Sequence, residues 1–124
     1  MTIDPATLTA LGALLGDRLS TREADRDHHA GHETHHQPMP PDAVVWPLTT
    51  EEVAEVVRIC TSAGVPVIAH GLGSSLEAHV AALRGGVSID MMRMNRLLRI
   101  GNDDLDCTVE AGITRQDLNA GLRD

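Results

Sequence analysis

One stretch constrains the fold of this chain more than any other: a short apolar run, Val65–Ala69, leads after a single histidine into a loop of glycines and serines, Gly71–Ser75. Gly71 and Gly73 lack a Cβ atom, so the main chain there can adopt unusual backbone angles and approach a ligand closely. Successive N–H groups, together with the hydroxyls of Ser74 and Ser75, can then face an anion. The stretch predicts a strand followed by a phosphate-binding loop.

The segment before this loop predicts a β-α-β unit. Ala43–Trp46 is typical of a short strand, and Thr49 has capping-box spacing to Glu52 at the start of a helix. Gly64 and Pro66 end that helix, and a strand over 66–69 follows. This order favours an α/β (α+β) fold with a parallel pair, whose ligands bind where the carboxyl end of a strand meets the next loop. The stripe expected to be buried on the helix comprises Val53, Val56, Val57 and Cys60.

The glycine loop does not match the dinucleotide fingerprint of a doubly wound fold. That fingerprint needs a third glycine, and Leu76 stands in its place. An acidic residue to hold a ribose is also missing, unless Asp90 serves. Taken alone, the loop is therefore equally consistent with an ordinary turn between a strand and the next element.

The rest of the chain supplies further elements. Asp4 and Pro5 predict the start of a helix that runs to about Leu19, and residues 20–41, rich in charges, histidine and proline, predict an extended arm that is not packed. Three more strands, over 87–90, 94–100 and 105–110, and a helix that begins at Thr114 and carries Leu118 and Leu122 are expected after the loop. The chain stops at Asp124 without a cap, which is typical of a truncated protein.

Composition excludes several classes of function. A net charge of -8 is unsuited to binding a nucleic-acid backbone. The apolar stretch over 8–15 is too short to span a membrane, so we predict a cytoplasmic protein. The 124 residues suffice for one ordinary domain, and its core has no Phe or Tyr. Cys60 and Cys107 lie in apolar segments, which predicts small buried side chains in a reducing compartment; a catalytic thiol is the less favoured alternative.

Read together, the segments from about residue 26 to residue 124 resemble the FAD-binding domain of the p-cresol methylhydroxylase and vanillyl-alcohol oxidase superfamily. The resemblance is closest to its D-lactate dehydrogenase (cytochrome) and glycolate oxidase flavin-subunit branch. It implies two parts, a helix and His-rich arm over 1–41 and the first part of an FAD-binding domain over 42–124. The motifs that carry it are Pro41–Pro47, Val65–Ile68, Gly71–Glu77 with His79, Gly85–Asp90, Met94–Leu98 and Val109–Thr114.

The resemblance also implies a function. FAD would be held without a covalent bond. Hydride would pass to flavin N5 from a D-2-hydroxy acid, of which D-lactate is the favoured candidate. Electrons would then pass to a cytochrome or quinone, which allows peripheral membrane association. The family's catalytic residues lie in later segments, so none is assigned here. The chain departs from the family at Ala69, His70 and Ala78, where proline, an aromatic residue or arginine, and glycine are common. The cofactor-binding residues implied are His70, Gly71, Leu72, Gly73, Ser74, Ser75, Leu76 and His79.

The histidines of the arm leave a second interpretation open. Five of them, between His28 and His36, lie within nine residues, a pattern that can bind zinc or nickel. No cysteine or carboxylate in the tract fixes a tetrahedral geometry, so we assign no metal ligand. The alternative to an enzyme is thus a stand-alone nucleotide- or metal-binding α/β module without turnover.

Overall fold

The computed structural model describes residues 3–123 and has the expected α/β architecture. Within this range, the strands form one sheet of four and one of two. The expectation concerning the chain stop at Asp124 lies outside the described residues. In chain order the elements are α1 (Pro5–Leu15), a 3-10 turn (Gly16–Arg18), β1 (Leu19–Ser20), α2 (Glu23–His28), β2 (Ala43–Val45), α3 (Thr50–Ser62), β3 (Val67–His70), β4 (Val87–Asp90), β5 (Leu97–Gly101), β6 (Asp106–Val109) and α4 (Arg115–Gly121).

The larger sheet has the strand order β1-β2-β4-β3. Strands β2 and β3 both run parallel to β4, so the parallel orientation predicted for the β-α-β unit is correct. They are not neighbours, however, because β4 lies between them. All four residues of β4 are buried, as expected for a strand covered on both faces. The carboxyl ends of β3 and β4 meet at one edge of the sheet, where His70 is in register with Asp90.

The insertion of β4 leaves β3 at the edge of the sheet. Val67 is 41% exposed, and His70 is the one buried residue of this strand. Two residues of α3 that were predicted to be buried are not: Val57 is 38% exposed and Val53 is half-buried. Val57 and Val67 line an apolar groove of about 470 Å³ that also includes Val53, Ala69 and Met91. The groove continues to Gly71 at the start of the glycine loop.

The core is built from aliphatic side chains between the two long helices and the sheet. Leu11 and Leu15 of α1, like Val56 and Cys60 of α3, are buried as predicted. The predicted helix starts are also confirmed, because in each a side-chain oxygen accepts a hydrogen bond from a backbone N–H three residues on. These cap bonds are Asp4 to Thr7 at 3.0 Å, Thr49 to Glu52 at 3.1 Å and Thr114 to Asp117 at 3.1 Å.

The expectation of an extended, unpacked arm over 20–41 is wrong for its first half, residues 20–31. Helix α1 ends at Leu15, because Gly16 turns the chain with a φ of +59°. The chain then pairs Leu19–Ser20 with β2 and forms α2 before reaching His29, which is 2% exposed. Pairing with a strand that lies more than twenty residues away is not visible in local charge and proline content. Residues 32, 33 and 35–38 are exposed, as expected of an arm.

The C-terminal elements follow the predicted order with shorter bounds. The strands expected over 94–100 and 105–110 are β5 and β6, which pair antiparallel with an irregularity between Leu97 and Arg99. Cys107 in β6 is only half-buried, so the predicted burial holds for Cys60 alone; both thiols are free. Among the described residues, no helix combines the length and apolarity needed to cross a membrane.

Candidate functional site

The glycine loop begins where β3 ends, at the carboxyl edge of the sheet. Its side chains point largely into solvent, since Leu72 is 71% exposed and Leu76 is 69% exposed. These two large apolar side chains therefore do not contribute to the hydrophobic core of the chain. The loop therefore presents its backbone, not its side chains, to the buried end of β3.

The two glycines of the loop are needed for different reasons. Gly73 has a φ of +77°, and a Cβ atom there would lie 2.9 Å from Nε2 of His70. Gly71 has no positive φ, and a Cβ atom there would meet nothing within 4 Å. The fold itself thus requires glycine at 73. At position 71, glycine would be required only if another molecule approached the backbone closely.

The backbone of the loop has unused hydrogen-bond donors. Within the part of the chain that the structure describes, none of the N–H groups of residues 71–76 donates a hydrogen bond to the protein. A set of successive free N–H groups around a left-handed glycine is an arrangement that binds anions such as phosphates. The geometry of the loop therefore fits a ligand that carries phosphate.

The end of the loop is held by a short local contact. Oγ of Ser75 lies 2.7 Å from Nδ1 of the exposed His79, and the same oxygen accepts a bond from the N–H of Glu77. Between them Ala78 has a φ of +57°, a conformation that glycine adopts with less strain. The departure of Ala78 from the family pattern therefore falls on a strained position.

Behind the loop lies a cluster of buried polar side chains that sequence reasoning did not bring together. Nε2 of His29 is 2.8 Å from Oδ2 of Asp90, and its Nδ1 is 2.7 Å from the carbonyl oxygen of Asp25. The ring of His70 lies 4.3 Å from that of His29, centroid to centroid. His29, His70 and Asp90 are 2%, 4% and 6% exposed. The cluster joins the chain after α2 to the ends of β3 and β4.

Burial and charge set the ionisation of this cluster. Burial is the largest single influence on His29 and opposes its protonation, but the hydrogen bonds to Asp90 and to the Asp25 carbonyl together raise its pKa above the usual value. Burial likewise opposes ionisation of Asp90, yet bonds from His29 and from the Met92 N–H lower its pKa. Burial, and the positive charge of His29, lower the pKa of His70.

These contacts change the interpretation of two residues that the sequence analysis singled out, Asp90 and His70. Both carboxylate oxygens of Asp90 are engaged, one by His29 and one by the N–H of Met92, so this residue is not free to hold a ribose. His70, predicted to contact a cofactor, is buried beneath the loop. The signal that could have pointed to the cluster is an acidic residue that ends an otherwise apolar strand, with a histidine nearby in the parallel strand.

A cavity of about 400 Å³ separates the loop from the segment after α2. Leu72, Gly73 and Ser74 form one wall, and His28, His32 and Glu33 form another. His70 lies at its inner end. Two exposed histidines of the tract, His28 and His32, thus face the glycine loop across this cavity.

Trp46, the single aromatic residue among Phe, Tyr and Trp, packs beside the same cluster. Its ring centroid is 5.9 Å from that of His29, edge to face. The guanidinium of Arg93 lies 5.4 Å from the indole centroid on the ring face. The indole therefore contacts the cluster through His29 and carries the Arg93 guanidinium on its ring face.

Comparisons with a family model and with curated proteins agree on the family of this chain. The model of a family described as "FAD binding domain" matches residues 41–124. The chain is 38% identical over 118 residues to the "Probable D-lactate dehydrogenase, mitochondrial" of Danio rerio, an alignment that covers 94% of this chain and 24% of the relative. It is 34% identical to the "D-lactate dehydrogenase [cytochrome], mitochondrial" of Arabidopsis thaliana, over 94% of this chain and 21% of the relative.

The fold comparison agrees. A solved structure of p-cresol methylhydroxylase with substrate bound superposes with a TM-score of 0.84 at 23% identity, over 94% of this chain and 24% of that one. The fold expected from the motifs is therefore confirmed. The chain spans about a quarter of the length of each of these proteins.

Proposed function

The chain belongs to the FAD-binding-domain family, and on that premise we propose that it forms the first part of the cofactor-binding portion of a flavin-dependent D-2-hydroxyacid dehydrogenase. FAD is the cofactor of this family. In the proposed organisation, residues 42–124 supply the cofactor-binding portion, and residues 1–41 precede it as a helix and a His-rich arm.

The loop from Gly71 to Leu76 holds the pyrophosphate of FAD, chiefly through backbone N–H groups. The observation that carries this proposal is the run of uncommitted N–H donors around Gly73, whose conformation excludes a side chain. The hydroxyl of Ser74 adds a donor. His70 supports the loop from beneath, and His79 holds Ser75 at its far end. The proposed cofactor-binding residues are His70, Gly71, Leu72, Gly73, Ser74, Ser75, Leu76 and His79.

The contribution of this chain is to bind and orient. When bound, FAD would supply the redox chemistry, taking hydride at N5 from the substrate and delivering electrons to an acceptor. We assign no catalytic residue to these 124 residues. D-lactate as substrate is supported by the names of the relatives, and a cytochrome as acceptor by the name of the Arabidopsis protein; a quinone is the alternative acceptor. The cytoplasmic location stays a prediction, and the names of both relatives say mitochondrial.

Flavin retention in loop variants of the full-length protein tests this proposal. Gly73→Val should abolish the retention of flavin through gel filtration, because its side chain has no space beside His70. Leu72→Ala should retain most of the flavin, since the Leu72 side chain points into solvent. Equal retention by these two variants would reject the assignment of the loop.

Gly71→Ala separates ligand approach from folding. A methyl group at 71 touches none of the described residues and needs no unusual φ, so the Tm of the flavin-free protein should be unchanged. If the pyrophosphate lies against this backbone, the same methyl group should weaken flavin binding at least tenfold. Unchanged flavin affinity in Gly71→Ala would show that the ligand does not approach there.

A further inference from the structure

Three metal-ligating side chains converge behind the glycine loop, and the proposed flavin site gives a role only to His70 among them. His29 follows α2, His70 ends β3 and Asp90 ends β4. Each offers one ligand atom, and the three atoms lie within 4.8 Å of one another. All three side chains are more than nine-tenths buried. Such a group of buried nitrogen and oxygen ligands is rare without a positive charge to neutralise it.

The hydrogen bonds of His29 fix which of its nitrogens is free. Its Nδ1 is 2.7 Å from the carbonyl oxygen of Asp25, and a carbonyl only accepts, so Nδ1 carries a hydrogen. Its Nε2 then faces the carboxylate of Asp90 at 2.8 Å, which also only accepts. A proton or a metal ion must lie between them. A backbone carbonyl that holds the far nitrogen is the usual support of a metal-bound imidazole.

The environment of His70 distinguishes a proton from a metal ion between His29 and Asp90. A proton on Nε2 of His29 would satisfy His29 and Asp90, but it would leave the buried Nδ1 of His70 without a hydrogen-bond partner, and it has none among residues 3–123. Leaving such a group unpaired in the interior is unfavourable. A metal ion can take one ligand from each of the three residues at once. Asp90 is suited to this role, because the Met92 N–H occupies Oδ1 and leaves Oδ2 as a single ligand.

We propose that His29, His70 and Asp90 bind one divalent metal ion, with Zn²⁺ the best match to two imidazoles and one carboxylate. Ligands of a tetrahedral zinc ion lie roughly 3.3 Å apart, so the His29–Asp90 contact widens by a few tenths of an ångström on binding. The cavity that His70 lines gives access for a fourth ligand. The ion joins the segment after α2 to the edge of the sheet and makes the base of the glycine loop rigid. The argument for this metal site does not rest on the flavin proposal, although His70 also lies beneath the glycine loop.

Calorimetric titration of the metal-free full-length protein with ZnCl₂ tests the site. We expect the wild-type protein to bind one zinc ion with a Kd below about 1 µM, and its Tm to rise when zinc is added. Asp90→Asn keeps the shape of the side chain, and His70→Phe places a ring in the same space. Each should weaken this binding at least 100-fold and abolish the zinc-dependent rise in Tm.

The matched control is the double variant His35→Asn with His36→Asn, from the exposed part of the tract. It should keep the high-affinity zinc site and its effect on Tm. The proposal is wrong if the wild-type protein binds no zinc, if Asp90→Asn or His70→Phe binds it as tightly as the wild type does, or if the control removes it. The last result would assign zinc to the surface tract.

Discussion

Arg18 and Glu52 form a bidentate ion pair that ties the turn after α1 to the first turn of α3. The two guanidinium nitrogens lie 2.6 and 2.8 Å from the carboxylate oxygens of Glu52. Arg18 also donates to the carbonyl of Trp46, and Glu52 also accepts from the N–H of Leu48. The side chains are 18% and 21% exposed, so the pair is partly shielded from water. The hydrogen bonds from Arg18 are the main reason that the pKa of Glu52 falls to about 2.

The stability of the fold should therefore depend on pH through Glu52. Its pKa is about 2 when folded and 4.5 when unfolded, so its contribution is fully present above pH 4.5 and is lost as the pH falls from 4.5 towards 2. Allowing for solvent screening, Glu52→Gln should lower the free energy of unfolding by about 2 kcal/mol at pH 7. Urea unfolding of both proteins between pH 7 and pH 2 measures the difference, which should shrink at acidic pH.

Glu55→Gln is the control for this prediction. Glu55 pairs with Arg58 one turn further along the same helix, but both side chains are well exposed. Its replacement should change the free energy of unfolding little at any pH. An equal loss in the two variants would show that helix charge, and not the link between α1 and α3, is responsible.

Ala78→Gly should stabilise the protein. Ala78 has a φ of +57°, and relief of this strain outweighs the greater freedom of glycine in the unfolded chain, for a net gain of about 0.5 kcal/mol. Ala63→Gly is the control, since Ala63 has an ordinary φ of -94° at the end of α3 and its replacement should destabilise. Thermal unfolding of both variants decides the matter; a lower Tm for Ala78→Gly would contradict the prediction.

The flavin should be released completely when the full-length holoprotein is precipitated with acid. In superfamily members that tether FAD, a histidine commonly follows the glycines, and Ser74 stands in that place here. Serine cannot form the histidyl bond. Absorbance of the supernatant and the pellet measures release. Colour in the pellet would instead point to His70 or His79 as an attachment point, and a His79→Asn variant would separate these two.

Thiol reagents should modify Cys107 well before Cys60 in the native protein. Cys60 is fully buried in the core, and burial raises the pKa of its thiol, so the reactive thiolate is scarce. Cys107 is half-buried in the strand pair. Peptide mapping by mass spectrometry after brief treatment with iodoacetamide gives the order. Rapid modification of Cys60 would mean that α3 opens away from the sheet.

Local signals in the sequence were sufficient for the glycine loop and for most of the helices and strands, but not for β1 and α2. The caps at Asp4, Thr49 and Thr114 depend on residues three positions apart, and the glycine loop follows its strand directly. The position of β4 between β2 and β3 could not be read in this way, because it depends on which strand buries both faces.

The buried cluster of His29, His70 and Asp90 could not be predicted from local sequence signals either. His29 and Asp90 are 61 residues apart in the chain, and nothing in the histidine tract distinguishes the one buried histidine from its exposed neighbours. The carboxylate partner of His29 lies outside the tract, at the end of β4. A pairing of this kind is decided by how the chain packs, after the local elements have formed.

The indole of Trp46 gives the buried cluster a built-in optical signal. It lies edge to face against His29, in a segment of 124 residues that holds no other tryptophan and no tyrosine. A charged imidazole quenches a neighbouring indole by accepting an electron from its excited state, and a paramagnetic ion such as Cu²⁺ quenches it more strongly. The fluorescence lifetime of this one side chain therefore reports the occupancy and charge of the buried cluster that it contacts.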